Sequence, residues 1–256
     1  MILVKCCVMA FEKYARMRPI FLSSELYMPE TQIHLEGQAL ALPIYKYRNS
    51  LYEELHNRPS PKVASPSYVS HLAMVRDEGD AQEEYELVCG LCQRFSVNPP
   101  PVGASCYYQD FGGFEFRWER HTEFSTYTFI RANGGKTEPD FGLSFMPKDW
   151  LIKLPGELVV ALNMKVQNQE GDKQEDQHFF EGQRPLGSWV ANGKAKVQTS
   201  FRLHSDGFGR FLVSTQPLED GGLNPYQTGR LIQRLLELET YRLMALMGLP
   251  VARALG

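Results

Sequence analysis

Two short segments of the chain pair an imidazole with a carboxylate two residues on, across a hydroxyl side chain: His121-Thr122-Glu123 and His204-Ser205-Asp206. An imidazole beside a carboxylate can bind a divalent metal or move protons as a general acid–base pair. His121, Glu123, His204 and Asp206 are therefore the candidate catalytic set, and the candidate ligands if the cofactor is a divalent metal. Arg120 and Arg202 stand next to the two segments. Their guanidinium forks match a carboxylate or phosphate, so they are the candidate binders of a small anionic substrate. The competing reading is structural: Ser or Thr beside Asp or Glu at a strand end bonds backbone N–H groups, and Asp206-Gly207 suits a tight turn. No H-E-x-x-H, phosphate loop, dinucleotide fingerprint or nucleophile elbow adds a second signal.

Other chemistry-bearing residues have a plain alternative. Cys89 and Cys92 form a C-x-x-C on the apolar face of a helix, away from the N-terminus where a dipole would activate a thiol, so core packing is expected. His71 lies in a strand among apolar residues and is expected to be a satisfied core histidine. His56 and Arg58 follow a short helix, where a cation caps the C-terminus. Arg117 and Glu119, with Arg120 and Arg202, lie beside the tips and are expected to make cross-strand Glu–Arg pairs, with binding of an anionic ligand as the alternative. Arg242 interrupts an apolar helical stripe and is expected to be buried against a carboxylate.

The elements that would position these groups can be read from periodicity. Residues 1–44 show no sustained period and are expected to form a loosely ordered arm before a single domain over 45–256. A strand is expected over 68–75, then a helix that Asp80 with Glu83 caps and whose apolar face is Tyr85, Val88, Cys89, Cys92 and Phe95 on a 3.6-residue period, and strands over 105–110, 114–120 and 124–131. The order then recurs: a short helix at Pro147–Trp150, an apolar strand over 156–166, a helical turn near Phe179-Phe180, and strands over 186–191, 195–204 and 209–215. The fold class is α+β, with two similar α-β-α-β-β-β halves (about 45–140 and 141–223), mixed or antiparallel sheets and a long C-terminal helix over 225–249. Asn224, Pro225 and Gln227 mark that helix's start. Leu231, Leu235 and Leu238 lie on one of its stripes, Ile232, Leu236, Leu243 and Leu246 on another. Symmetry of the halves would bring His121 and His204 to one cleft.

The 256 residues carry a net charge of −3, which excludes nucleic-acid binding driven by phosphate contacts. Five cysteines at irregular spacing do not make a secreted disulfide framework, and a reducing cytoplasm is expected. No apolar run reaches the length of a spanning helix, and the apolar start, broken by Lys5, does not read as a signal peptide.

Several segments resemble one family: Leu55-His56-Asn57-Arg58-Pro59, Val69-Ser70-His71-Leu72, Trp118-Glu119-Arg120-His121-Thr122-Glu123-Phe124, Leu154-Pro155-Gly156, Phe201 to Phe208, and Gly229 to Arg242. From about Leu42 onward the chain is similar to the bacterial membrane-anchored proteins of domain-of-unknown-function family 3422. The resemblance implies relatives that continue into a coiled coil and a pair of C-terminal membrane helices at the inner membrane. That C-terminal region is missing from this sequence, and it carries no activity over. Two functions are thus expected in competition. One is a sensor, scaffold or oligomerisation module that self-associates through the long helix. The other is a metal-assisted or acid–base hydrolase at the shared cleft.

Overall fold

In the computed structural model the described residues are 33–35, 38–40, 42–44, 48, 60–76, 81–121, 123–132, 142–168 and 177–247. The short helix expected before Arg58-Pro59, capped by Asn49 or Ser50 and running through Leu55 and His56, lies outside them, as does the capping residue Asp80. The chain divides into two compact units, Met1–Ser60 with Gly248–Gly256, and Pro61–Met247. In the first, β1 (Ile33–Leu35) and β2 (Gln38–Leu40) form an antiparallel hairpin that periodicity did not reveal. Three-residue strands are too short to show an alternation.

The second unit is built on one eight-stranded mixed sheet. Its strands are β3 (Ser67–Val75), β4 (Cys106–Asp110), β5 (Glu115–Arg120), β6 (Phe124–Ala132), β7 (Glu157–Asn168), β8 (Leu186–Val190), β9 (Ala195–Leu203) and β10 (Gly209–Thr215). The helices that accompany them include α1 (Ala81–Arg94), α2 (Lys148–Leu151) and the long α3 (Pro225–Met247). The α+β class and the C-terminal helix are as expected.

The strand order is β4-β5-β6-β3-β7-β10-β9-β8, so each half mirrors the other about the β3–β7 pair. Strand direction does not follow the mirror. β3 and β6 are antiparallel, whereas β7 and β10 are parallel. The connections explain the difference. After β3 the chain runs back along the sheet as α1, about 21 Å of helix, and returns through the proline-rich stretch that precedes β4. β8 runs parallel to β7, as a single net traverse requires. Two passes invert the strands that follow, and one does not.

Alternation in β3 and β6 sends side chains to both faces of the sheet. On one face Leu72, Phe116, Trp118, Tyr127 and Phe129 meet Val88, Leu91 and Cys92 of α1 and Trp150 of α2. On the other, Val69, Ala73, Phe124, Met164 and Val213 meet Ile232 and Leu236 of α3. A small cluster of Phe179, Phe180 and Leu212 extends the first face over β10. β7 is central and buried on both sides, which is why it reads as a continuous apolar run.

α3 begins as expected. Asn224 Oδ1 accepts the backbone N–H groups of Tyr226 and Gln227 at 3.1 and 3.0 Å, and Gln227 Oε1 accepts that of Asn224 at 3.0 Å. This reciprocal cap satisfies donors that the first turn leaves free. Gly229 lets the helix lie directly on the chain at Pro61, whose carbonyl oxygen is 1.7 Å from where a Cβ would stand. Of the two stripes, Ile232 and Leu236 are buried, while Leu238 is 69% exposed. Arg242 corrects the expectation of burial: it is exposed and bonds Glu239, one helical turn back. Long arginine stems reach solvent easily, so an interrupted stripe does not require a buried charge.

Candidate functional site

Both predicted tips lie at the same end of the sheet. Phe124 pairs with Val75, which pairs with Glu157, and β10 starts opposite Leu162. Between β6 and β10 stand three strand-to-strand steps, roughly 14 Å. The two histidines also take opposite faces.

His121 stacks on Phe124 at a centroid distance of 4.1 Å, and Tyr241 of α3 stands edge-on to both rings. The Tyr241 hydroxyl is 3.4 Å from His121 Nδ1. His121 therefore belongs to the α3 face, as packing between the tip and the helix. His204 belongs to the other face, 6.2 Å from the Phe180 ring. The expected shared cleft is not formed: tips separated by β3 and β7 and turned to opposite faces cannot offer one ligand both imidazoles. Among the described residues no three His, Cys, Asp or Glu side chains converge on a position for a metal ion. Glu123 is half-buried at the first tip, and its carbonyl accepts the backbone N–H of Arg76. Arg120 donates to the carbonyl of Ala81 at the start of α1, and Arg202 is exposed on β9.

Around His204 the structure assembles a denser group. Its Nε2 lies 3.1 Å from Ser200 Oγ and its Nδ1 3.6 Å from Glu181 Oε2. At 3.6 Å the buried Nδ1 is outside hydrogen-bond reach of the carboxylate and makes no hydrogen bond; a proton on Nδ1 leaves Nε2 to accept from the serine hydroxyl. Glu181 also accepts from the backbone N–H and the hydroxyl of Ser205, at 2.9 and 2.6 Å, and from Arg210 at 2.8 Å. Arg210, buried on β10, donates besides to Asp206 Oδ2 at 3.1 Å and to the carbonyl of Phe179. Asp206 Oδ1 accepts the backbone N–H of Phe208, so this carboxylate also builds the turn, as its structural reading held.

The electrostatics follow from these partners. Ser205, through its hydroxyl and its N–H, and then Arg210 hold the Glu181 carboxyl down to about 2. Burial, with the Arg210 charge second, pushes His204 below the usual imidazole value against the pull of Glu181 and Asp206. The imidazole is thus neutral near pH 7 and able to take a proton. Glu181 has φ of 48°, a left-handed conformation uncommon for a side-chain-bearing residue, and its bonds to Ser205 and Arg210 hold it there.

Ser200, Glu181 and Arg210 were not singled out from the sequence. Phe179-Phe180 marked the helical turn, but nothing local connects Glu181 with a histidine 23 residues later. The alternation of β10 would place Arg210 with Leu212 and Ser214 on one face, and only the pairing of β9 with β10 shows what that face meets.

The remaining candidates are structural. His71 is buried, its two ring nitrogens 2.8 Å from Thr128 Oγ1 and 3.2 Å from Thr240 Oγ1. Arg117 and Glu119 form a buried ion pair at 2.7 Å on the α3 face. Cys92 packs against α1's neighbours with its Sγ 3.4 Å from the Tyr107 hydroxyl, and burial pushes the thiol up, away from reactivity.

Compared with known proteins, the chain matches the model of a family described as "Protein of unknown function (DUF3422)" over residues 43–256. No curated protein and no solved structure matches it.

Proposed function

The chain belongs to that family of proteins of unknown function, and from this premise we propose that residues 61–247 are an association module, the scaffold part of a larger assembly. One observation carries the reading. At the β8–β9 end of the sheet Leu186, Trp189, Phe201 and Leu203 are 64%, 56%, 59% and 70% exposed. Four large apolar side chains on two neighbouring strands lose stabilisation in water that a partner surface would restore. Leu238 on α3 adds to the uncovered apolar surface, in keeping with the self-association expected of that helix. In this reading the module works in the cytoplasm, and longer relatives hold such assemblies at the inner membrane. The free thiols of Cys89, Cys92 and Cys106 suit a reducing compartment. No helix among the described residues is long and apolar enough to cross a membrane. Light scattering over a dilution series is expected to give a mass above that of one chain, falling on dilution. A single-chain mass at every concentration would refute the module.

A second reading rests on the His204 group. In this reading Ser200 and His204, 3.1 Å apart, would serve as hydroxyl and base, with Glu181 3.6 Å from Nδ1 closing on it in the substrate complex, which gives an acid–base hydrolase of a small anionic substrate a concrete form. Ser200 Oγ would attack the acyl carbon while His204 Nε2 takes its proton and hands it to the leaving group; water then releases the acid. A serine-directed fluorophosphonate is expected to label Ser200 in this reading, and His204→Gln to abolish labelling while the protein stays folded. Absence of any adduct leaves the group as a clamp between the Phe180 turn and the β9–β10 tip.

A further inference from the structure

We propose that two copies of the chain join edge to edge through β8, extending the sheet across a two-fold axis at Ser188. The inference rests on the association reading and names its partner and contact.

Among the described residues β8 lies at one end of the sheet order and pairs with β9 alone. Its outer edge therefore presents a row of backbone N–H and C=O groups without a strand partner. Folded proteins usually blunt such an edge with charges, a proline inside the strand or a bulge. Leu186-Gly187-Ser188-Trp189-Val190 has none of these. It contains no charged residue, it pairs with β9 in unbroken register, and its first four residues are exposed.

The strand is also self-complementary. In an antiparallel pair centred on Ser188, Leu186 stands opposite Val190 of the second copy, and Gly187 opposite Trp189. Leu186, Ser188 and Val190 share one face of the sheet, and Gly187 and Trp189 the other. Leucine opposite valine is an apolar cross-strand pair; opposite Gly187 the indole meets the Gln198 side chain, whose Cγ stands 2.8 Å from where a Cβ on Gly187 would be. Continuing outward, Arg184 falls opposite Asn192, so no like charges meet along the edge. A heterologous strand would need none of this symmetry. The opposite edge strand, β4, ends in the charged Asp110, whereas Arg184 and Pro185 stand just before β8 and outside it.

Ser188 is exposed, so its replacement is expected to leave the fold intact, which circular dichroism would check. Sedimentation velocity on Ser188→Glu and on Ser188→Lys is expected to show each variant weakened in self-association by about tenfold or more, because like charges face each other at the axis. An equimolar mixture of the two is expected to recover a dimer. As a second measurement, Ser188→Cys is expected to give a disulfide-linked dimer under mild oxidation that the unchanged chain does not give. If Ser188→Glu associates as tightly as the unchanged chain, or Ser188→Cys fails to cross-link while the dimer persists, β8 pairing is overturned and the association module stands. If the unchanged chain is a monomer throughout, both fall.

Discussion

Glu84→Ala is expected to lose about 3–5 kcal/mol of stability. The Glu84 side chain is fully buried, and its Oε1 accepts from Trp118 Nε1 at 2.6 Å and from the Tyr127 hydroxyl at 2.7 Å. Both donors sit in the core beneath α1, where water cannot replace the carboxyl. Removing it leaves two desolvated donors and a cavity, each of which destabilises by about 1–3 kcal/mol, and offsets part of that by removing Oε2, which is buried without a hydrogen-bond partner. Against a total of about 5–15 kcal/mol for a domain, that is a large share. Glu84→Gln keeps an oxygen in the accepting position and is expected to lose far less. Urea unfolding followed by tryptophan fluorescence would measure both. Equal losses for alanine and glutamine would show that volume, not the two hydrogen bonds, is what Glu84 contributes.

Acidification is expected to unfold the protein in part through His71. Burial first, and then the charge of Arg117, lower this imidazole from 6.5 to about 3. A proton would have to enter a site where Thr128 and Thr240 already satisfy both nitrogens. The folded-state value lies below the unfolded one, so the stabilisation is complete above about pH 6.5 and drains as pH falls toward about 3. A shift of that size corresponds to roughly 5 kcal/mol. His71→Gln cannot take up the proton. The stability gap between the unchanged chain and this variant should therefore shrink as pH falls from about 7 to about 4. His204 and the carboxylates titrate in both proteins and cancel in the difference. Curves that run parallel across this range would show that His71 is not the group that titrates.

Much of this architecture was open to a reader of the sequence, because it is written in local patterns. The alternation of Phe114, Phe116 and Trp118 against Glu115, Arg117 and Glu119 defines β5 and both of its faces. The continuous apolar run of β7 announces a strand covered on both sides. Asn224, Pro225 and Gln227 specify the start of α3 through bonds that span three residues. Each of these signals acts within a few residues, where sterics and hydrogen bonding operate without the rest of the fold.

The site behaved differently. The sequence determined that His121 and His204 sit at strand ends beside carboxylates, and it pointed to turn formation by Asp206. It could not say that the tips open to opposite faces. That depends on how β6 and β10 are ordered about β3 and β7, and on where α3 lies. Nor could it join Ser200, Glu181 and Arg210 to His204, because a contact between a helical turn and a hairpin is made by side-chain direction after the sheet has formed. Strand direction in the second half was hidden for the same reason. One pass or two between strands is set by how the connecting segments pack on the sheet, and packing is a property of the assembled layers. Local periodicity therefore determined the elements, and only tertiary packing decided which side chains share a face.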